Sequence, residues 1–232
     1  DEATGRWLLK KGLDEGKDQS YVLYNLTQAQ LAHVRLPLGG LHKSEVRAIA
    51  EEQGFVNARK HDSQDICFVP DGDYARFMED FTGKHYPAGD FLDVSGKKVG
   101  THSGAVRYTI GQRKGLGIGG RRESLFILAT DTAQNVIYVG EGDAHPGLWR
   151  PALHIAPGEI HWVNPARALS PGQSARFSVR IRYRQPLQDA TLFMRDQGAY
   201  ILFDQPQRGI TPGQFAAWYD GDELVGSGVI SE

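Results

Sequence analysis

The sequence predicts a mixed, mainly β protein: a short helical N-terminal segment, a small β-rich central domain and a C-terminal β-barrel. Three observations carry that prediction. Apolar residues recur at helical spacing mostly before Pro70, with one short helix just after it. Beyond it, strand-like runs are divided by Asp-Gly, Ser-Gly and Gly-Gly pairs, the residues that tight turns between strands require. The 28 Gly and 11 Pro in 232 residues are enough to punctuate such a chain throughout.

In LTQAQLAHVRLP, Thr27 and Gln30 have the spacing of a capping box, in which each side chain satisfies the other's free backbone N–H; Pro37 and Gly39-Gly40 stop that helix. A second helix fits HKSEVRAIAEEQGF, with Val46, Ile49 and Ala50 on one face and Gly54 suited to the left-handed C-terminal position. Two helices this short need a further surface to close on. DYARFMEDFTG reads as a third helix. FLDVSGKKVGTH, VRYTIGQRKGLGIGG, LFILATD and VIYVGEGD then read as strands of the central domain, which ends near HPGLWRP. ALHIAPGEIHWV, ARFSVRIRYR, ATLFMRD, AYILFDQ and FAAWYDGDELVGSGVI supply the strands of a barrel or sandwich. Domain boundaries are expected at 1–71, 72–148 and 149–232.

A hydrophobic fraction of 40% and a charged fraction of 23% exclude intrinsic disorder. No apolar run is long enough to cross a bilayer as a helix, and DEATGRWLLKKG lacks the layout of a signal peptide, so a cytoplasmic setting without membrane partners is expected. Asp1 stands where a methionine would begin a gene product, which suggests a piece of a longer protein.

The net charge of −2 conceals an uneven distribution. From Lys84 to Arg122, eight Lys or Arg face only Asp90 and Asp93. ARFSVRIRYRQ carries Arg176, Arg180, Arg182 and Arg184 with no acid; alternation sets them opposite Phe177, Val179, Ile181 and Tyr183. Such a strand is either a solvated sheet face or a phosphate-binding face with Tyr183 available for stacking. Gly115, Gly117 and Gly120 match the spacing of a dinucleotide fingerprint, but RRESLFILATD after them reads as a strand rather than the helix that a pyrophosphate needs. With Arg113 and Lys114 beside it, the loop suits close backbone approach to a nucleic-acid phosphate instead. The eight His are scattered and no metal site is expected.

Cys67, the one cysteine, lies in DSQDICFVPDGDY. A lone cysteine makes no internal disulfide and no zinc ribbon. Ile66, Phe68 and Val69 let it be a small hydrophobe in a buried strand; the turn residues on both sides let it be a sulfur within reach of a partner, although neighbouring carboxylates disfavour a thiolate.

KDQSYVLYNL, LGGLHKSEVRAIAEEQG, DSQDICFVPDGDY, GTHSGAVRYTIGQRKGLGIGG, RYRQ and TPGQFAAWYDGDELVGSGVI together resemble the tRNA-specific 2-thiouridylase family, in order from Gly12 to Ile230. That resemblance implies an ATP-dependent thiotransferase that replaces the C2 oxygen of the tRNA wobble uridine by sulfur. It implies that Cys67 carries the persulfide, that a second cysteine forms a disulfide with it, and that tRNA contacts fall on Lys17, Asp18, Gln19, Arg182, Tyr183 and Gln214. Residues 1–71 would be the tail of an α/β ATP-pyrophosphatase domain, and the sulfur would come from a cysteine desulfurase or a relay protein. The family's Ser-Gly-Gly-x-Asp-Ser loop, which would hold ATP with its Mg, is absent from these 232 residues, as is the second cysteine. The chain alone is therefore expected to be inactive. Two other readings remain at this point: a stand-alone RNA-binding module without chemistry, and a protein-interaction barrel indifferent to RNA.

Overall fold

The computed structural model describes residues 1–60, 69 and 72–231. They fall into two compact units, one of residues 1–61 and 151–232, the other of residues 62–150. The architecture is mainly β with a short helical N-terminal part, as the sequence predicts.

In the first unit, a 3-10 turn at Ser20–Leu23 precedes α1 (Gln28–Leu31) and α2 (Lys43–Glu52). The capping box forms: Thr27 N–H donates to Gln30 Oε1 at 2.9 Å, and Gln30 N–H donates to Thr27 Oγ1 at 3.3 Å. The helix it starts is shorter than the sequence suggested, ending at Leu31 rather than near Pro37. Pro37 disfavours helical backbone at Leu36, and nothing compensates the β-branched Val34 in so short a helix. Gly54 closes α2 at φ +70°, with Gly54 N–H bonded to Glu51 O and Phe55 N–H to Ala50 O, the paired bonds of a Schellman ending.

The second unit begins with α3 (Tyr74–Thr82), capped by Asp73, whose carboxylate accepts from Arg76 N–H, and ended by Gly83 at φ +66°. Four strands follow: β1 (Gly89–Asp93), β2 (Lys98–His102), β3 (Leu125–Asp131) and β4 (Val136–Glu141), in sheet order β2-β1-β4-β3. Phe91, Ile127, Ile137 and Val139 fill the core beneath them. VRYTIGQRKGLGIGG is not a strand. It is a 3-10 turn at Ala105–Arg107 and a loop, because Gly111, Gly115, Gly117 and Gly120 all adopt positive φ, which a pleated ladder excludes.

The chain then returns to the first unit through β5 (Trp149–Ile155), β6 (Ile160–Trp162), β7 (Ser174–Arg180), β8 (Gln188–Arg195), β9 (Gly198–Arg208), β10 (Phe215–Asp220) and β11 (Glu223–Val229), in sheet order β5-β9-β8-β7-β10-β11-β6. The sheet curls around Ile155, Val179, Leu192, Ile201, Trp218 and Val225. Beyond β11, Ser231 N–H donates to His154 O at 2.9 Å, tying the segment after the last strand to the edge strand β5 of the curled sheet.

Both faces of β10 are buried. Ala216 and Trp218 point into the barrel, whereas Ala217 and Tyr219 point outward, onto Leu9, Tyr21 and Leu31 of the N-terminal segment. The surface that closes α1 is therefore the barrel's outer wall. Gln28 Nε2 donates to Val163 O, and Ser227 Oγ donates to Tyr24 O, both at 2.8 Å, seating the segment. By contrast α2 buries no side chain, and Ile49 is 45% exposed.

Gly198, where β9 leaves its hairpin, has φ +125°, and a Cβ there would lie 2.1 Å from Ile155 O. Gly198→Ala is expected to cost roughly 2–3 kcal/mol, because backbone must move as well as strain. A thermal melt reads this directly; an unchanged Tm would contradict the packing at that corner.

Candidate nucleic-acid interface

The four arginines of ARFSVRIRYR do not form one basic face. Alternation holds, since Phe177, Val179 and Ile181 enter the core, but β7 ends at Arg180 and the rest of the stretch is a turn. Arg176 is neutralised by Asp204 of β9 through two bonds of 2.6 and 2.7 Å, an arrangement that pulls the Asp204 carboxyl below its usual range. Arg180 is buried, because the outer face on which it lies is covered by the N-terminal segment. Arg182 and Arg184 lie exposed at the turn.

That turn is tightly built. Ile181 N–H donates to Gln185 Oε1 at 2.9 Å, Gln185 N–H donates to Arg182 O, and Arg184 takes a left-handed φ of +65°, which holds its guanidinium over the Tyr183 ring at 5.3 Å. Arg182 donates to Arg208 O. Partial burial and then the charge of Arg208 lower the Arg182 guanidinium from its usual value; it remains a cation at neutral pH.

Gln19 meets this turn from the N-terminal segment, its Nε2 donating to Tyr183 Oη at 2.7 Å across 164 positions of sequence. The structure thus brings Gln19 and Tyr183 together, with exposed Lys17 and Arg182 adjacent to them along their own segments. Gln214, half-buried, precedes Phe215, whose ring stacks between Tyr21 (4.3 Å) and Tyr24 (3.8 Å) and whose carbonyl accepts from Tyr21 Oη. Burial raises the Tyr21 and Tyr219 phenols, so both remain neutral donors.

Asp18 is placed differently. It is 5% exposed and paired with buried Arg180 at 3.2 Å, at the edge of a cavity of about 580 Å3 that Lys11, Glu15, Leu187 and Asp222 also line. The pattern named Arg180 but missed its burial against Asp18, since alternation reports a face but not what lies over it.

In the other unit, Arg113 and Lys114 are exposed, without an ion pair among the described residues, on the glycine-rich loop. Its shape is held by Leu116, which plugs the core, and by Gln112, which accepts from Thr109 N–H and donates to Lys114 O. The loop leads into β3, not a helix, so it offers no N-terminal dipole to a nucleotide. Among the described residues, this glycine-rich loop therefore does not fit the phosphates of ATP. Among the described residues no cluster of three His, Cys, Asp or Glu could hold a metal, and no helix is long and apolar enough to cross a membrane. Cys67 lies outside the described residues.

Three family models match in series. Residues 1–71 match a tRNA methyl transferase HUP domain, residues 75–141 a tRNA methyl transferase PRC-barrel domain, and residues 153–230 an aminomethyltransferase beta-barrel domain. Among curated relatives, the tRNA-specific 2-thiouridylase MnmA of Christiangramia forsetii is 46% identical over 96% of this chain and 64% of its own length. Those of Pseudomonas aeruginosa strain LESB58 and Geotalea uraniireducens are 44% and 45% identical over 99% of the chain, and 60% and 59% of their own lengths. The chain spans about three fifths of the length of these relatives. Matched along nearly its whole length by relatives of one name, and carrying DSQDICFVPDGDY and YTIGQRKGLGIGG in place, the chain belongs to the tRNA-specific 2-thiouridylase family.

Proposed function

We propose that the complete protein is a tRNA 2-thiouridylase that transfers a persulfide sulfur from Cys67 to C2 of the wobble uridine, and that this chain contributes the sulfur carrier and much of the tRNA grip. ATP supplies the activation of the departing C2 oxygen; no residue of this chain is assigned to it. A cysteine desulfurase or sulfur-relay protein charges Cys67; as the outer sulfur leaves for C2, the thiol of a second cysteine outside this sequence takes its place by forming a disulfide with Cys67, a thiol reductant then restores both thiols, and the setting is cytoplasmic. The chain by itself binds tRNA without turning it over. Lys17, Gln19, Arg182, Tyr183 and Gln214 meet the RNA, with Asp18 in the same motif, and Arg113 and Lys114 add phosphate contacts from the glycine-rich loop.

The observation that carries this reading is the 2.7 Å bond between Gln19 and Tyr183, which makes one surface of two motifs that are remote in sequence. Amide, phenol and guanidinium groups with no carboxylate among them suit a phosphate and an unstacked base. Arg182→Ala is expected to weaken tRNA binding about fivefold at low salt and to reduce the slope of log K against log salt by about one, as loss of one phosphate contact should. Filter binding over a salt series tests it; an unaltered slope and affinity would remove Arg182 from the interface. Wild-type binding that is absent even at low salt would favour a protein-interaction barrel instead.

A further inference from the structure

We infer that Asp18 and Arg180 form a buried positioning pair that sets the geometry of the RNA-facing Gln19 and Tyr183, and that Asp18 does not itself touch tRNA. The inference rests on the functional reading above and changes the role of one member of its motif.

The Asp18 carboxylate is fully engaged. Oδ1 accepts from Gly12 N–H and Ser20 N–H, each at 3.0 Å, while Oδ2 accepts from Ser20 Oγ at 2.9 Å and from Arg180 at 3.2 Å. A carboxylate offers about four lone-pair positions, so none is left for a nucleotide. Its side chain is 2% exposed, and its negative charge opposes a phosphate. Contact by Asp18 would require this loop to unfold.

Geometry gives the pair another task. Asp18 immediately precedes Gln19, and Arg180 lies three positions before Tyr183, at the last residue of β7. Joining Asp18 to Arg180 therefore registers one RNA-facing segment against the other. The joint is reinforced on the far side, where Ser20 Oγ lies 3.0 Å from Tyr219 Oη and Arg180 sits over the Tyr219 ring at 5.6 Å. Arg180 Nε is buried without a hydrogen-bond partner among the described residues. A guanidinium left partly unsatisfied is poorly chosen for stability, since apolar side chains of similar volume would serve the core as well or better. What apolar residues do not supply is a directional link between two loops.

The test uses the full chain and unmodified tRNA, with Kd from filter binding and Tm from thermal melts. In the double variant Asp18→Asn/Arg180→Met, Asn keeps an oxygen for the Gly12 and Ser20 N–H groups and the buried charges leave together. Expected are a Tm within a few degrees of wild type and a Kd about tenfold weaker. Gln19→Ala should weaken binding about threefold in the wild-type background and hardly at all in the double variant, because misplaced Gln19 has nothing left to lose. A folded double variant with wild-type Kd, or a Gln19→Ala loss that is equal in both backgrounds, would overturn the inference. Should the double variant not fold, a cycle of Gln19→Ala and Tyr183→Phe decides: the combined loss should not exceed either single loss, and additive losses would overturn it. A wild-type chain that bound no tRNA would instead bring down the functional reading, and the inference with it.

Discussion

Cys67→Ser in the complete protein is expected to abolish 2-thiouridine formation while leaving the Kd for tRNA within about twofold. Serine matches cysteine in shape, but its oxygen neither stores a sulfane sulfur nor exchanges with a disulfide, so the sulfur has no carrier. Under the proposed function the grip on tRNA lies on other residues, which is why binding and turnover should separate. Mass spectrometry of nucleosides from treated tRNA measures the product, and filter binding measures the grip. Wild-type yield from the serine variant would remove Cys67 from the chemistry. Loss of both properties together would mean that Cys67 supports the fold, the reading its apolar neighbours Ile66 and Phe68 allow.

Arg180→Ala is expected to destabilise the first unit by about 3–5 kcal/mol, because it leaves the buried Asp18 carboxylate without its counter-charge. Half the pair is worse than neither: the double variant that removes both charges should recover most of this loss. The Tyr219 ring also loses the guanidinium lying over it, which adds to the cost of the single change. Chemical denaturation of the three proteins gives the values. A loss below about 1 kcal/mol for the alanine variant would show that water reaches Asp18 and that the pair is not the closed contact described here.

Much of the fold was legible because it is written in local backbone chemistry. The Thr27–Gln30 capping box, the Gly54 ending of α2 and the Asp73 and Gly83 ends of α3 each depend on residues within a few positions of one another. The strands of the barrel were legible from alternation, down to which side of β7 holds Phe177, Val179 and Ile181. VRYTIGQRKGLGIGG was misjudged as a strand because β-branched and aromatic residues outvoted five glycines, four of which take a positive φ decided by the turns they complete. The stretch Asp62–Phe68 is outside the described residues, so Cys67 rests on its motif.

What the sequence by itself determined is the class of fold, the family and which residue types are candidates for an RNA contact, since turn chemistry, period-two patterning and motif order are all properties of the chain read in line. Only the tertiary structure decided which charges are free to act. Arg176 is spent on Asp204 and Arg180 on Asp18, leaving Arg182 and Arg184 at the turn. Alternation states which face a side chain occupies, but the burial of that face depends on a segment more than a hundred positions away. The N-terminal residues Leu9, Tyr21 and Leu31 cover the barrel's outer wall, and the same packing that hides Arg180 brings Gln19 to Tyr183. A contact across 164 positions is set by how two apolar surfaces fit, and no local rule encodes it.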